Sequence, residues 1–432
     1  MFMVELLSPA GDFESLAAAI KGGANSIYFG IKWLNMRAGG AKNFDITDMK
    51  EIAKKCHENN VRCYVTLNTT ISEHELDKIQ KILDEVKNAK VDAVIASDFS
   101  VINKCFEQGI EVHISTQTNV SNYEAVKFFS KFSHRIVLAR ECTLEQIKSI
   151  IEKAKRDKLN MEIETFVHGA MCVAVSGRCF MSQYHNRRSA NKGQCLQECR
   201  KQYKIIDIEE PDREFIIEDN YVMSPKDLCT LPILDKLVKT GIKVFKIEGR
   251  GRSSDYVYTT AKVYSEALKK IEKGKWLEVD IKKGLNELNS VYNRGLSIGF
   301  YLGTPTNDSW SGVYGSNATE TKQEIGKVTN YYSDKKVAVI ELINGELKTG
   351  DDVSFVGKTT GYFRTKVDEI HTDKGIVKNS KKGDIISVKV DEKVRVNDKV
   401  FVIRENKDRK KMEIISDFEL KPELSPGKHR QN

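Results

Sequence analysis

The chain has 432 residues, of which 40% are hydrophobic and 30% are charged, and its formal net charge is +8. This length suggests two or three domains with a sizeable core, and the apolar content excludes a disordered chain. Apolar runs such as Ile136–Ala139 are as long as strands and far shorter than the ~20 residues of a membrane span. Because Met1–Leu7 has no charged n-region and no cleavage motif, we expect no signal peptide, no membrane association and a cytoplasmic location.

Eight short runs rich in β-branched and aromatic residues recur through the first 250 residues and alternate with helical patterns. Continuous apolar runs of this kind are typical of strands buried on both faces of a parallel sheet. Eight such units predict a TIM-like (β/α)8 barrel, with a doubly wound open sheet as the alternative. The candidate strands are Val4–Leu7, Ser26–Gly30, Arg62–Leu67, Asp92–Ala96, Glu111–Ser115, Arg135–Ala139, Glu162–Val167 and Lys243–Ile247.

Capping signals predict where several helices begin. Ser224 followed by Pro225 predicts one further helix over Pro225–Thr240, since proline suits the first helical turn. The other candidate N-caps are Asp12 before Glu14–Ile20, Ser72 with Glu75 before Leu76–Val86, and Thr143 with Gln146 before Ile147–Ala154.

Polar residues follow nearly every candidate strand. In a (β/α)8 barrel, the functional residues collect at the C-terminal ends of the strands, and a purely structural barrel does not need a polar rim there. The sequence therefore predicts a functional site at this rim. The rim residues are Ser8, Asp12, Gly30, Asn68, Ser97, Asp98, Thr116, Gln117, Arg140, Glu141, His168, Glu248 and Arg250.

About 75 residues separate the seventh and eighth strands, which predicts an insertion over about residues 169–222. Ala170–Lys204 contains seven Lys or Arg residues and one acid, Glu198, so +6 of the +8 net charge lies in 35 residues. A basic cluster is typical of a surface for nucleic acid or an anionic substrate, and a solvated charged loop is the alternative. An insertion at the catalytic face of a barrel is usually a lid or a cofactor site.

Four of the nine cysteines lie in this insertion, at Cys172, Cys179, Cys195 and Cys199. Four thiolates can bind zinc or an iron–sulfur cluster. No close Cys-x-x-Cys pair is present, so the spacing favours a cluster over zinc, and unrelated thiols remain the third interpretation. The other five cysteines fit core positions.

The C-terminal part changes to short alternating strands, which predict a small antiparallel β-barrel over residues 324–405. It follows a barrel domain over 1–280 and a helical segment with a linker over 281–323, and a charged tail over 406–432 ends the chain. Similar turns recur at Lys348–Asp351, Lys381–Asp384 and Val396–Lys399. The candidate strands are Ile325–Thr329, Val337–Leu342, Asp352–Val356, Thr365–Ile370, Ile385–Val390 and Lys399–Ile403.

Glu164–Cys172, followed by Ser176–Cys179 and Ser182, forms a signature at the start of the insertion. This signature resembles that of peptidase family U32, the collagenase-like proteins, and the resemblance covers roughly residues 3–303. The further matching motifs are Leu7–Asp12, Met36–Gly39, Gln117–Asn119, Arg140–Glu141, Tyr184–Arg188, Met223–Leu228, Lys246–Arg250 and Asn293–Gly295.

The resemblance implies RNA modification rather than proteolysis. One group in this family makes 5-hydroxyuridine at the wobble position of tRNA without molecular oxygen, with prephenate as the hydroxyl source. A sister group hydroxylates a cytidine of 23S rRNA, and other members serve ubiquinone hydroxylation. The chain length favours the tRNA group, with tRNA and prephenate as partners and a paralogous family subunit left open. In such relatives, four matching cysteines hold a 4Fe–4S cluster, with zinc as the less favoured metal.

The same resemblance assigns roles to the rim and to the insertion. Arginine forks suit the two carboxylates of prephenate. His168 is either a proton carrier or a residue that orients Cys172, and Glu164 and Glu248 are either bases or ion-pair partners. The expected catalytic residues are His168, Glu164, Arg140, Glu248 and Arg250. The expected substrate-binding residues are Arg37, Gln117, Arg178, Tyr184, His185, Arg187, Arg188 and Lys226.

Two other functions compete with this hypothesis. A peptidase needs an activated nucleophile or a catalytic metal, and the sequence has no His-Glu-x-x-His and no Gly-x-Ser-x-Gly. Cys172 with His168 is the one candidate nucleophile and base, and ligation to a cluster would consume that thiolate. The third interpretation, a non-catalytic RNA-binding protein, does not account for the polar rim.

Overall fold

The structure is a computed structural model that describes residues 4–203, 208–209, 223–305 and 309–409. Its N-terminal domain contains a closed parallel barrel, and all eight barrel strands predicted from the sequence are present. The strands of this domain are β1 (Glu5–Ala10), β2 (Ser26–Gly30), β3 (Arg62–Leu67), β4 (Ala93–Ala96), β5 (Val112–Ile114), β6 (Arg135–Val137), β7 (Glu162–Gly169), β8 (Asp227–Cys229), β9 (Val244–Ile247) and β10 (Leu296–Ser297).

Closure of the barrel depends on β9. Strands β1 to β7 pair in parallel with their neighbours in chain order, and β9 pairs in parallel with both β1 and β7. This ring excludes the open-sheet alternative. Side chains that alternate inward fill the middle of the lumen, and they are Leu7, Tyr28, Tyr64, Ala93, Ile95 and Val244.

Helices surround the barrel, and the N-caps predicted at Asp12 and Thr143 are confirmed, whereas Ser72 precedes the short turn Glu73–Glu75 and not the helix itself. Asp12 Oδ1 accepts from the Ser15 N–H at 2.8 Å, and Thr143 Oγ1 accepts from the Gln146 N–H at 3.3 Å. No helix of the described residues is long and apolar enough to cross a membrane. The helices are α1 (Phe13–Lys21), α2 (Met49–Glu58), α3 (Leu76–Asn88), α4 (Phe99–Glu107), α5 (Tyr123–Phe129), α6 (Leu144–Arg156), α7 (Met181–Asn186), α8 (Leu234–Thr240), α9 (Ser254–Glu272) and α10 (Glu278–Ser290).

The predicted helix over Pro225–Thr240 is wrong in its first half. Strand β8 occupies that half, where it pairs antiparallel with the end of β7 and parallel with β10. A buried ion pair between Asp227 and Arg294 and a hydrogen bond from the Thr230 N–H to Val167 O fix the extended backbone. Tertiary pairing therefore overrides the local helix signal, and only the 3-10 turn Leu231–Ile233 and α8 remain helical.

The C-terminal part is antiparallel, as predicted, and its described strands form one eight-stranded and one two-stranded sheet around their own apolar core. The predicted strand Thr365–Ile370 is wrong as one element, because β15 ends at Lys366 and β16 begins at Ile370. The strands are β11 (Glu320–Tyr332), β12 (Val337–Leu342), β13 (Glu346–Lys348), β14 (Asp352–Gly357), β15 (Gly361–Lys366), β16 (Ile370–Thr372), β17 (Gly375–Val377), β18 (Asn379–Lys381), β19 (Ile385–Lys389) and β20 (Lys399–Glu405).

The three recurring turns of this sheet share one geometry. Gly350, Gly383 and Asn397 have φ values of 92°, 96° and 70°, in the left-handed region that suits Gly and Asn. In each turn, an aspartate carboxylate then accepts a backbone N–H from three residues earlier. These bonds are Lys348 N–H to Asp351 at 2.9 Å, Lys381 N–H to Asp384 at 2.8 Å and Arg395 N–H to Asp398 at 2.8 Å.

Candidate active site

A cavity lies at the C-terminal ends of the barrel strands, between the rim and the insertion. From the rim it takes polar and charged side chains of five strands or the loops after them, together with the apolar Ile95 and Phe166. From the insertion it takes apolar residues, Ser176, Ser182, Glu198 and all four cysteines of the predicted quartet. The rim residues that line it include Tyr28, Arg37, Thr66, Asn68, Ser115, Thr116, Gln117, Arg140, Glu141, Phe166, Lys246, Glu248 and Arg250.

Glu248 and Arg37 form the central ion pair of this cavity. The Nη2 and Nε atoms of Arg37 donate to Glu248 Oε1 at 2.8 and 3.1 Å. Arg140 Nη2 lies 3.9 Å from Glu248 Oε2, and the Tyr28 hydroxyl donates to the same oxygen at 3.2 Å. One carboxylate is therefore shared among two guanidinium groups and a phenol.

Positive charge around Glu248 decides its protonation. Burial is the largest single effect and raises the pKa of this carboxyl, but the charges of Arg37, Arg140 and Arg250 together outweigh it. The result is a pKa lowered to about 2. Glu248 is consequently an anion at neutral pH, which makes it an ion-pair partner rather than a proton donor.

The guanidinium group of Arg250 forms hydrogen bonds with other residues of the barrel. Its Nη1 donates to Asn35 Oδ1 at 2.9 Å and to Thr66 Oγ1 at 2.8 Å. A Cβ atom on Gly30 would lie 2.2 Å from Nη1, so only glycine leaves room for the guanidinium. Burial lowers the pKa of Arg250 to about 10, and the side chain still carries its charge at neutral pH. Its Nε has no partner among the described residues.

Lys246 reaches the cavity from β9, and the sequence analysis did not assign it to the site. Its Nζ donates to Glu164 Oε1 at 2.8 Å and lies 4.6 Å from the centre of the Tyr28 ring. Both members of the pair are buried, and Glu164 Oε2 has no partner in the described part of the chain. Burial lowers the pKa of Lys246, while Glu164 opposes that effect.

His168 does not line the cavity. The pairing of β7 with β9 shifts between Phe166 and His168, so that His168 faces Ile247 rather than Glu248. The imidazole therefore turns outward with Ile247, and its Nδ1 lies 3.4 Å from the Tyr264 hydroxyl. Burial lowers the pKa of His168 to about 4, so the ring is neutral at pH 7.

The opposite wall of the cavity is polar and uncharged except for Glu141. Gln117 Oε1 accepts from Ser115 Oγ at 2.6 Å and from Asn68 Nδ2 at 3.0 Å. Glu141 Oε1 accepts from the Ser176 N–H at 3.2 Å, which ties the insertion to the rim. The second oxygen of Glu141 is buried without a partner among the described residues.

The four cysteines of the insertion converge on the cavity. Burial raises the pKa of the Cys199 thiol, Arg200 lowers it, and the three other thiols raise it further. The Met181 N–H donates to Cys179 Sγ at 3.4 Å, and the Gln197 N–H donates to Cys195 Sγ at 3.4 Å. Backbone N–H bonds of this kind stabilise negatively charged sulfur, as in iron–sulfur sites.

The four thiols lie farther apart than the ligands of a single zinc ion. Among the described residues, no three of the four sulfurs lie within 4.8 Å of one another. Tetrahedral zinc, with Zn–S bonds of about 2.3 Å, holds its sulfurs roughly 3.8 Å apart. The other five cysteines are buried, as expected for core positions.

The basic cluster divides into bound and free side chains. Arg178 donates to Gln117 O at 2.9 Å, Lys192 pairs with Glu75, and Lys201 pairs with Glu198. Arg200 is half-buried and donates to Met171 O, Ser224 Oγ and Pro225 O. These contacts hold the insertion in place, and Lys204 lies outside the described residues.

Two arginines of the cluster remain available. Arg187 and Arg188 follow α7, are exposed, and make no side-chain hydrogen bond or ion pair within the described residues. Tyr184 is 84% exposed on the same helix, next to His185, and its ring lies 6.2 Å from that of Phe180. Lys226 lies outside the cavity lining, and its backbone N–H donates to Ser309 O.

Residues 11–311 match the model of peptidase family U32. A collagenase of Porphyromonas gingivalis is 42% identical over 92% of this chain and 97% of its own length. An uncharacterised protease of Methanocaldococcus jannaschii is 43% identical over 94% of this chain and 99% of its own length. A tRNA hydroxylation protein of Bacillus subtilis is 32% identical over 86% of this chain and 87% of its own length. The chain therefore belongs to peptidase family U32.

Proposed function

We propose that this protein is a tRNA-modifying enzyme that places a hydroxyl group on C5 of the wobble uridine, without molecular oxygen and with prephenate as the hydroxyl source. The observation that carries the proposal is the cavity itself, where four thiols face a group of cationic side chains at the mouth of the barrel. The relative from Bacillus subtilis that is named a tRNA hydroxylation protein supports it.

In this proposal, Cys172, Cys179, Cys195 and Cys199 hold a 4Fe–4S cluster. Four thiols, two of which accept backbone N–H bonds, are the donor set that such a cluster needs. When bound, the cluster supplies a redox-active or Lewis-acidic centre at the wall of the cavity. Zinc is the weaker candidate, because the sulfurs are spread more widely than zinc requires.

Arg37 and Arg140 bind the carboxylates of the co-substrate in this proposal. Both line the cavity, and both already face a carboxylate, Glu248, which a substrate anion can replace or join. Arg250 contributes charge but not a fork, since Asn35 and Thr66 occupy its Nη1. Lys246 adds the fourth positive charge of the cavity.

The RNA binds across α7 and the loop after it. Arg187 and Arg188 contact phosphates, and the exposed ring of Tyr184, with His185 beside it, stacks on an unpaired base of the anticodon loop. Arg178 is less suited to this role because it already donates to Gln117 O. A paralogous subunit of the same family is a further proposed partner.

The relatives named as a collagenase and a protease keep a peptidase in contention. The geometry around the one candidate nucleophile argues against it. His168 lies outside the cavity, and its ring contacts Tyr256 and Tyr264 while its backbone pairs with Cys229 of β8. Hydroxylation of a cytidine in 23S rRNA is the alternative within RNA modification, since the cavity does not distinguish the two bases.

Mass spectrometry of nucleosides from a deletion strain tests the proposal. We expect tRNA to lose 5-hydroxyuridine and its derivatives, and we expect wild-type protein but not Cys172→Ser to restore them. As a matched control, Cys105→Ser, a buried cysteine of α4 away from the cavity, restores them fully. Loss of 5-hydroxycytidine from rRNA, with unchanged tRNA, would identify rRNA as the substrate instead of tRNA. Intact RNA in a strain that also lacks every paralogue would overturn the proposal.

A further inference from the structure

A second group of metal-ligating side chains lies at the opposite end of the barrel from the cavity. Glu111 immediately precedes β5, His113 is its second residue, and His134 immediately precedes β6. Because β5 and β6 are adjacent parallel strands, their N-terminal ends bring the three residues together. None of them is assigned to the hydroxylation site.

The three side chains meet at one carboxylate oxygen. Glu111 Oε1 lies 2.7 Å from His113 Nε2 and 3.5 Å from His134 Nε2. All three ligand atoms lie within 4.8 Å of one another. Nitrogen and oxygen ligands of a tetrahedral zinc ion, with bonds of about 2.0–2.1 Å, are roughly 3.3 Å apart, so the observed spacing brackets that of a bound ion.

No lysine or arginine forms an ion pair with the Glu111 carboxylate within the described residues. Arg135 lies beside them, but Glu5 and Glu162 take its guanidinium, with contacts of 2.9 and 2.6 Å. Glu111 Oε1 makes no bond other than those to the two imidazoles within the described residues. His134 is 42% exposed at its side chain, which gives an ion a route from solvent.

Another group of three potential ligands differs from this one, because its carboxylate also binds the backbone. His57, Cys63 and Asp92 also place their ligand atoms within 4.8 Å of one another. There, however, Asp92 Oδ2 accepts from the Cys63 backbone N–H at 2.8 Å as well as contacting His57 at 2.9 Å. That carboxylate holds the backbone of β3, whereas Glu111 Oε1 contacts imidazoles alone.

We propose that Glu111, His113 and His134 bind one divalent transition-metal ion of the zinc class. Two imidazoles and one carboxylate are the ligands that such an ion takes from proteins, and three protein ligands leave a fourth position for water. The ion ties the start of β5 to the start of β6, and it therefore stabilises the closed end of the barrel. A zinc ion at this site can be distinguished from one held by the cysteine quartet, because the ligands here are nitrogen and oxygen and not sulfur.

Zinc binding to the full chain tests this inference. The protein is dialysed against a chelator, loaded with ZnCl2 and desalted, and its zinc content and zinc K-edge absorption are measured. We expect a zinc shell of nitrogen and oxygen at about 2.0–2.1 Å, which is shorter than the about 2.3 Å of a zinc–sulfur shell. We expect His134→Ala and Glu111→Gln each to hold one zinc fewer than the wild type and to lose the rise in Tm that zinc gives it.

The chain provides a matched control. Glu369 and His371 form the same Glu-x-His contact, at 3.0 Å, on the C-terminal sheet but without a second histidine. His371→Ala is therefore expected to bind as much zinc as the wild type. Unchanged zinc content in both His134→Ala and Glu111→Gln would overturn the proposal, as would a zinc shell made of sulfur alone.

Discussion

Lys246 Nζ donates to Glu164 Oε1 at 2.8 Å inside the barrel, and both side chains are almost completely buried. The pair connects β9 with β7, the two strands that close the ring. It also sets one ammonium group against the cavity, 4.6 Å from the centre of the Tyr28 ring. Closure of the fold and charge of the site therefore depend on the same contact.

Removal of one partner of this pair is expected to destabilise the protein strongly. Lys246→Met removes the hydrogen-bonded counter-charge of the buried Glu164 carboxylate, which costs about 3–5 kcal/mol of unfolding free energy. The double variant Lys246→Met with Glu164→Gln is expected to regain most of that loss. Urea unfolding measures each value.

The exposed pair Lys239–Asp235, at 3.1 Å on α8, serves as the control. Lys239→Met is expected to change the free energy of unfolding by less than about 1 kcal/mol. A cost below about 1 kcal/mol for Lys246→Met as well would show that the buried pair is not important for stability.

Charge reversal at Arg187 and Arg188 is expected to lower the affinity for tRNA. It is also expected to make that affinity less dependent on salt concentration. Each phosphate contact to single-stranded nucleic acid contributes about 0.7 to the slope of log K against log salt, so loss of two contacts lowers the slope by about 1.4. Fluorescence anisotropy at several salt concentrations measures it. Reversal of the exposed Lys148 and Lys153 on α6 is the control, and an equal loss there would indicate a merely non-specific effect.

Acid is expected to weaken the fold through Glu248. Its pKa is about 2 in the folded protein and close to 4.5 when unfolded, so its contribution to stability is present above about pH 4.5. That contribution is lost as the pH falls from about 4.5 to 2. Glu248→Gln should therefore show a shallower loss of stability over this window than the wild type in urea unfolding, and parallel curves would contradict the ion pair.

His168 gives a second acid-sensitive window, at higher pH. Burial lowers its pKa to about 4 from 6.5, so the unfolded chain takes up the proton first and stability falls as the pH drops from about 6.5 to 4. In His168→Gln, the slope over this window is expected to decrease by up to about 1.4 kcal/mol per pH unit. The exposed His74→Gln serves as the control, and an unchanged slope in His168→Gln would place His168 in a solvated position.

The barrel could be predicted because its strands are continuous apolar runs, each followed by a polar residue at the same rim. The same reasoning placed Gln117, Arg140, Glu248 and Arg250 together, and the structure brings all four to one cavity. Local sequence was sufficient for these residues because strand ends in a closed parallel barrel must meet at one edge.

Other features depend on register, which a single sequence does not reveal. The shift between β7 and β9 turns His168 outward, although its position in the chain places it at the rim. Lys246 interrupts the apolar pattern of its strand, and only the structure shows that it pairs with the buried Glu164. Likewise, the first half of the helix predicted from Pro225 is a strand, because its pairing partners are distant in the chain.

The metal content of anaerobically purified protein tests the central claim most directly. Iron, acid-labile sulfide and zinc are determined per chain for the wild type, for Cys172→Ser and for Cys105→Ser. The account predicts about four irons and four sulfides in the wild type and in Cys105→Ser, and loss of both in Cys172→Ser. A wild-type protein without sulfide, whose zinc disappears in Cys172→Ser, would show that the quartet is a zinc site and would contradict the account.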